Sequence, residues 1–167
     1  MKNPKETKKT TDNPLQKLKS FLDEEFKPKP EETKLPMMHW NEMESFFKQK
    51  VIPVFKILKT QLSEYNFQSI NTEVHTRIAK LKITDSLSLF HFKIDIDNSS
   101  RQIKIFYSLK YRLQKKKKLF DIKALESHIV SFKDIDTIND QLLLSLFAKW
   151  YTGKNETIEK DVERRKT

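Results

Sequence analysis

The chain has 167 residues, of which 37% are hydrophobic and 11% aromatic, and it carries a formal net charge of +10. It contains no cysteine and a single glycine, Gly153, which excludes disulfides, cysteine-ligated zinc, thiol catalysis and glycine-rich phosphate loops. No apolar run is long enough to span a membrane, and the first residues lack the apolar segment of a secretory signal, so we expect a cytoplasmic protein that does not enter a membrane.

Residues 1–34 are rich in Lys, Glu, Thr and Pro, a composition that predicts a mostly disordered tail. Inside this tail, apolar residues at helical spacing predict a short amphipathic helix over 14–26. Its apolar positions are Leu15, Leu18, Leu22 and Phe26.

Residues 35–153 are predicted to form a single α+β domain. It begins with a helical stripe that Pro53 should kink, because proline has no N–H to donate within a helix. The hydrophobic period then changes to two, which predicts an antiparallel meander of four to five strands. An amphipathic helix that ends at Gly153 completes the domain.

Residues 154–167 form a second charged tail, which we expect to fray. Few large apolar side chains occur in 1–12 or 156–167 to offset the entropy of ordering. Removing either segment should therefore leave the melting temperature nearly unchanged.

The turn-forming residues at 97–100 predict a hairpin between the two longest strands. Pairing Ile96 with Arg101 places apolar residues opposite one another on one face. On the other face the same register places Lys93 opposite Lys104. Extending the pairing to the preceding strand, which begins near Ile70, brings Arg77 opposite Lys93.

This row of cations across three strands is the basis of the first functional hypothesis. Residues 71–133 carry a net +8 of the total +10, and like charges placed opposite one another favour an anion between them. A sheet face with cations and an aromatic ring is typical of single-stranded nucleic-acid binding. The sequence therefore predicts a non-catalytic module that binds nucleic acid or another polyanion. The binding residues would be Arg77, Lys93, Lys104, Phe106, Lys110, Lys115, Lys116, Lys117 and Lys118.

The alternative hypothesis is a protein-interaction module or a homodimer. The predicted register places apolar residues at one end of the second sheet face, and the helix over 14–26 could dock in a partner's groove. The sheet residues concerned are Leu81, Leu87 and Leu89.

A divalent-metal nuclease ranks third. Phe120-Asp121-Ile122-Lys123, together with the upstream acid Asp97, resembles a fragment of the PD-(D/E)xK nuclease motif, whose carboxylates hold Mg²⁺. No histidines occur at metal-ligand spacing, and no serine has an identifiable base. We therefore expect no catalytic residues, no resident metal and no cofactor.

Overall fold

A computed structural model of the chain describes residues 13–25, 35–113 and 117–166. The chain divides into two units, Met1–Lys34 and Leu35–Thr167. In the first unit, helix α1 (Pro14–Glu25) begins after Asn13, whose side-chain Oδ1 accepts a hydrogen bond of 3.1 Å from the N–H of Leu15. The leucines of α1 are exposed, and Phe26 lies outside the described residues.

The second unit has the α+β architecture that the sequence predicts. Its helical parts are α2 (Trp40–Phe46), α3 (Ile52–Leu62), α4 (Asp140–Thr152) and α5 (Lys154–Arg165), with a 3₁₀ turn at Phe132–Thr137. Its strands are β1 (Ser69–Val74), β2 (Ile78–Thr84), β3 (Ser88–Asp97), β4 (Gln102–Arg112), β5 (Leu119–Ile122) and β6 (Ser127–Ser131).

The kink expected at Pro53 takes the form of a π-helical turn. This turn, Phe47–Val51, separates α2 from α3. Pro53 lies in the first turn of α3, where a backbone N–H has no partner within the helix, so its missing donor is tolerated there. The interruption lets both helices bury an apolar side, including Phe46 of α2 and Phe55 of α3, in one core.

The six strands form one antiparallel sheet in the order β1-β2-β3-β4-β5, with β6 also pairing with β4. Alternate residues of β2, β3 and β4 are almost completely buried beneath the helices. On α4, the rings of Phe147 and Trp150 lie 5.6 and 5.8 Å from the ring of Phe92. The intervening residues lie on the other face of the sheet, which we call the open face.

The β3–β4 register differs from the predicted one by two residues. Ile96 pairs with Ile103, and Lys93 pairs with Phe106 rather than with Lys104. Because side chains alternate with a period of two, this shift keeps Lys93 and Lys104 on the same face.

The β2–β3 register differs by three residues, which exchanges the faces of β2. Residues 75–77 form a turn where the sequence predicts a continuous strand, so Leu81 pairs with Phe92 in the core. The prediction of an apolar patch on the open face is therefore wrong. Leu81 is fully buried, Leu87 is exposed in a turn, and only Leu89 is on the open face.

The C-terminal segment packs on the domain as α5 and does not fray. Asp161 is buried and accepts a hydrogen bond of 2.7 Å from the Tyr111 hydroxyl of β4. Lys154 is buried as well, with its Nζ 2.7 Å from Asp85 Oδ2. The composition of this segment suggested a tail because most of α5 is polar, but these contacts attach it at two points.

Candidate functional site

The open face carries a group of lysines at its centre. Lys80 on β2 lies directly opposite Lys93 on β3, and Lys93 lies opposite Phe106 on β4. Lys104 precedes Phe106 by two residues and therefore shares its face. We call Lys80, Lys93, Lys104 and Phe106 the lysine–phenylalanine cluster.

Phe106 is the contact point of this cluster. The Nζ of Lys93 lies 5.5 Å from the centroid of its ring, and the Nζ of Lys104 lies 4.8 Å away. Both distances are within the range of cation–π attraction. Beside the ring is a depression of about 290 Å³, whose lining includes Ser108 and Ser127.

The carboxylates of the open face flank the cluster. Glu73 on β1 is the register partner of Lys80 but forms its ion pair with Lys82 at 2.6 Å, and Asp121 on β5 pairs with Lys110 at 3.8 Å. Asp95 is the register partner of Lys104, but the lysine nitrogen lies over Phe106 instead. Among the described residues, no carboxylate is within ion-pair distance of Lys80, Lys93 or Lys104.

Burial and the closely spaced lysines lower the pKa of two groups on this face, Lys93 and His91. Burial, together with Lys80, Lys110 and Lys82, lowers the pKa of Lys93 below its ordinary value. Burial and the neighbouring lysines, Lys93 first among them, lower the pKa of His91 to about 4. His91 lies between Lys82 and Ser108 on the adjacent strands, so a neutral imidazole occupies the centre of a cationic surface.

The structure brings together only some of the residues that the sequence selected. Lys93, Lys104, Phe106 and Lys110 share the open face. Arg77 does not join them, because it is exposed in the turn before β2, and Lys80 takes the place opposite Lys93.

The described lysines of the basic turn after β4, Lys117 and Lys118, are separate from the cluster. Lys118 Nζ lies 5.9 Å from the ring of Phe120, which stacks on Tyr111 on the helix-covered side of the sheet. Lys117 is exposed, and Lys115 and Lys116 lie outside the described residues.

Sequence reasoning missed Lys80, Lys82 and His91. The alternation that indicates the two faces of β2 is present in the sequence, because the polar Lys80, Lys82 and Thr84 alternate with the apolar Ala79, Leu81 and Ile83. The predicted register with Arg77 opposite Lys93, continued along the strand, places Lys80 opposite Phe90 in the core, and a buried lysine indicates that the faces of this strand are exchanged.

The two acids of the nuclease-like fragment are far apart. Asp97 pairs with Gln102 at one end of β4, and Asp121 pairs with Lys110 near the other end. Eight residues of extended strand span about 27 Å, too far for two ligands of one metal ion. In the described ranges, no group of three His, Asp or Glu side chains is placed to hold a metal.

Comparison of the chain with protein-family models, curated proteins and solved structures found no match. None of the described helices is both long and apolar enough to cross a membrane.

Proposed function

We propose that this protein is a non-catalytic module that binds single-stranded nucleic acid on its open sheet face. The observation that supports the proposal best is the lysine–phenylalanine cluster. Two ammonium groups lie over one aromatic ring, and no carboxylate neutralises them among the described residues. Nucleic acid in the cytoplasm, the location expected from composition, would be an accessible partner.

An anion is favoured because the cluster opposes like charges. Lys80 and Lys93 are direct cross-strand partners, an arrangement that destabilises a sheet. Burial and neighbouring lysines already weaken the charged form of Lys93. A bound phosphate group would reduce the repulsion between the two lysines and would stabilise the charged form of Lys93. Binding would therefore recover part of the electrostatic free energy that the free protein loses.

A single strand is favoured over a duplex because the aromatic ring belongs to the binding surface. Two cation–π contacts at an exposed site contribute together about 1–2 kcal/mol. A base stacked on an aromatic side chain contributes about 1–3 kcal/mol. Because the displaced ammonium groups also gain the flanking phosphates as partners, we expect a base to replace them over Phe106, which a paired base inside a duplex cannot do.

The experiment is fluorescence anisotropy with a labelled single-stranded oligonucleotide at low and high salt. Binding should be saturable and weaken steeply with salt, because phosphate neutralisation releases counterions. Lys93→Gln combined with Lys104→Gln should weaken it strongly. The matched control is Lys59→Gln combined with Lys56→Gln, two exposed lysines of α3. No saturable binding at low salt, or equal effects of the two pairs, would overturn the proposal.

The second candidate is a protein-interaction module that uses α1. Its support is that Leu15, Leu18 and Leu22 are exposed at helical spacing on α1. An amphipathic helix of this kind can lay its apolar side in a partner's groove. If oligonucleotide binding is absent, replacing the three leucines with serine should abolish association with a partner without changing the melting temperature.

A further inference from the structure

Strand β1 is an open edge of the sheet. Within the described part of the chain it pairs with β2 and with no other strand. The edge at β5 differs, because Arg165 of α5 donates a hydrogen bond of 2.8 Å to the carbonyl of Asp121. Among the described residues, α5 therefore contacts the edge at β5, and no strand pairs with the outer side of β1.

The register shows which backbone groups of β1 face outward. The N–H of His75 donates to the carbonyl of Ile78 at 2.8 Å, so this pair is hydrogen-bonded across the turn. Hydrogen-bonded and non-bonded pairs alternate along an antiparallel ladder. The N–H and C=O groups of Ile70, Thr72 and Val74 consequently point away from β2.

The edge carries little of the usual protection against pairing. Natural edge strands are blunted by short length, charged side chains, proline or a bulge. Residues 69–74 contain no lysine or proline, their pairing with β2 is continuous, and their one charged residue, Glu73, forms an ion pair with Lys82 on β2. Apolar surface flanks the strand, since Val74 is 44% exposed and Trp40, which lines the same groove, is 68% exposed.

We propose that two copies of the chain associate by antiparallel pairing of their β1 strands about a two-fold axis at Thr72. In this register Thr72 faces the partner's Thr72, and Ile70 faces the partner's Val74. Asn71 faces the partner's Glu73, so no like charges are opposed. A shift of two residues would place Asn71 opposite its own copy and leave Val74 facing Gln68, which loses the apolar pairs.

The cross-strand pairs of this register favour a second copy over an unrelated peptide. Antiparallel pairing of two identical strands is two-fold symmetric, so the apolar pair of Ile70 with Val74 and the pair of Asn71 with Glu73 each occur twice. The axis is perpendicular to the sheet, so both open faces lie on the same side of the dimer.

The dimer is expected to be weak and to strengthen with salt. The seam is a short strand pair, at the small end of the range of specific interfaces. Each copy carries +10, so the two copies repel one another at low ionic strength. This salt dependence has the opposite sign to that expected for nucleic-acid binding, and the dimer does not depend on that function.

Sedimentation equilibrium over a wide range of protein concentration, at low and high salt, tests the proposal. The wild type should show a monomer–dimer equilibrium that shifts toward the dimer with salt. Thr72→Pro should abolish the dimer with little change in melting temperature, because an outward-facing N–H on an edge strand is dispensable in the monomer.

A second pair of variants covers the case in which the proline substitution unfolds the domain. Val74→Lys should abolish the dimer, and Leu87→Lys should not, although Leu87 is similarly exposed at 48%. A wild type that stays monomeric at the highest concentration and salt would overturn the proposal. A dimer that survives Val74→Lys would also overturn it, because association would then use another surface.

Discussion

The ammonium nitrogen of Lys104 lies 4.8 Å from the centroid of the Phe106 ring, two residues further along the same strand. Lys93 reaches the same ring from the neighbouring strand. The ring thus holds two cations on a solvent-facing sheet surface, where a polar residue would be the ordinary choice. Substitutions of the ring and of the lysines should therefore affect binding differently.

We expect Phe106→Ala to reduce the free energy of single-strand binding by about 1–3 kcal/mol, because one stacked base is lost. The slope of log affinity against log salt should stay unchanged, since no phosphate contact is removed. Lys104→Gln should instead reduce that slope by about 0.7, the value for one phosphate of a single strand. Ile129→Ala is the control for the loss of apolar surface. Ile129 is exposed and lies opposite Lys104, but it has no aromatic ring on which a base could stack. Anisotropy titrations at several salt concentrations measure all three, and a changed slope in Phe106→Ala would contradict the stacking role.

The affinity for an oligonucleotide should rise as the pH falls below neutrality. Burial and the charges of Lys93, Lys82, Lys80 and Lys110 hold the pKa of free His91 at about 4. A phosphate bound above these lysines would raise this pKa, because it stabilises the imidazolium. Binding then takes up a proton, and affinity increases as the pH falls through the raised pKa, until the free histidine is protonated near 4.

His91→Gln should remove most of this increase between about pH 7 and pH 5, which spans the ordinary range of histidine titration. His75→Gln is the control, because His75 is exposed in the turn after β1. Histidine resonances followed by NMR in the free and bound protein give the two pKa values directly. An unchanged His91 pKa on binding would show that phosphate does not lie over this part of the face.

Removing α5 should destabilise the domain. Truncation after Gly153 takes away Asp161, which accepts from the Tyr111 hydroxyl, and Lys154, which pairs with Asp85. A hydrogen bond to a charged group contributes about 1.5–3 kcal/mol. The apolar contact of Ile158 with the core is lost as well. For a domain of this size the melting temperature should fall by on the order of 10 °C. Calorimetry measures this, and an unchanged melting temperature would restore the expectation of a fraying tail.

Point variants of α5 distinguish the Asp161 contacts from the helix as a whole. Burial acts to raise the pKa of Asp161, but hydrogen bonds from Arg165, Tyr111 and Arg164 outweigh it and hold the pKa below its ordinary value. The stability from this carboxylate is present above the unfolded pKa, near 4, and is lost as the pH falls through the folded pKa. Asp161→Asn should therefore weaken the acid dependence of stability, whereas Glu163→Gln, on the exposed side of α5, should not.

Lys154→Met should be among the most destabilising single substitutions in α5. The Lys154 side chain is 10% exposed, and its Nζ lies 2.7 Å from Asp85 Oδ2 and 3.1 Å from Ser88 Oγ. Its loss removes one charge-assisted hydrogen bond of Asp85, which keeps the hydrogen bonds from Leu87 and Ser88, so we expect a cost of about 1.5–3 kcal/mol. Lys160→Met removes an exposed pair with Glu156 and should cost less than about 1 kcal/mol. Urea denaturation compares the two, and equal effects would mean that the Asp85 contact contributes little.

The two register predictions show that strand periodicity can predict the face of a residue without predicting its cross-strand partner. At β3–β4 the error was two residues, an even number, so the face of Lys93, Lys104 and Phe106 was predicted correctly although their partners were not. At β2–β3 the error was three residues, and an odd shift exchanges the faces. That single difference moved Leu81 into the core and brought Lys80 to the cluster.

The sequence by itself determined the α+β class, the interruption at Pro53 and the face of the long hairpin, because each follows from local chemistry or from a period of two over ten residues. The tertiary structure decided the register of β2 against β3 and the role of α5. Alternation within β2 indicates which residues are buried, but the start of the strand depends on a turn at 75–77 that contains no Gly, Pro, Asn or Asp. In α5 two buried contacts, at Lys154 and Asp161, outweigh a polar composition, and contacts between residues distant in sequence leave no periodic signal.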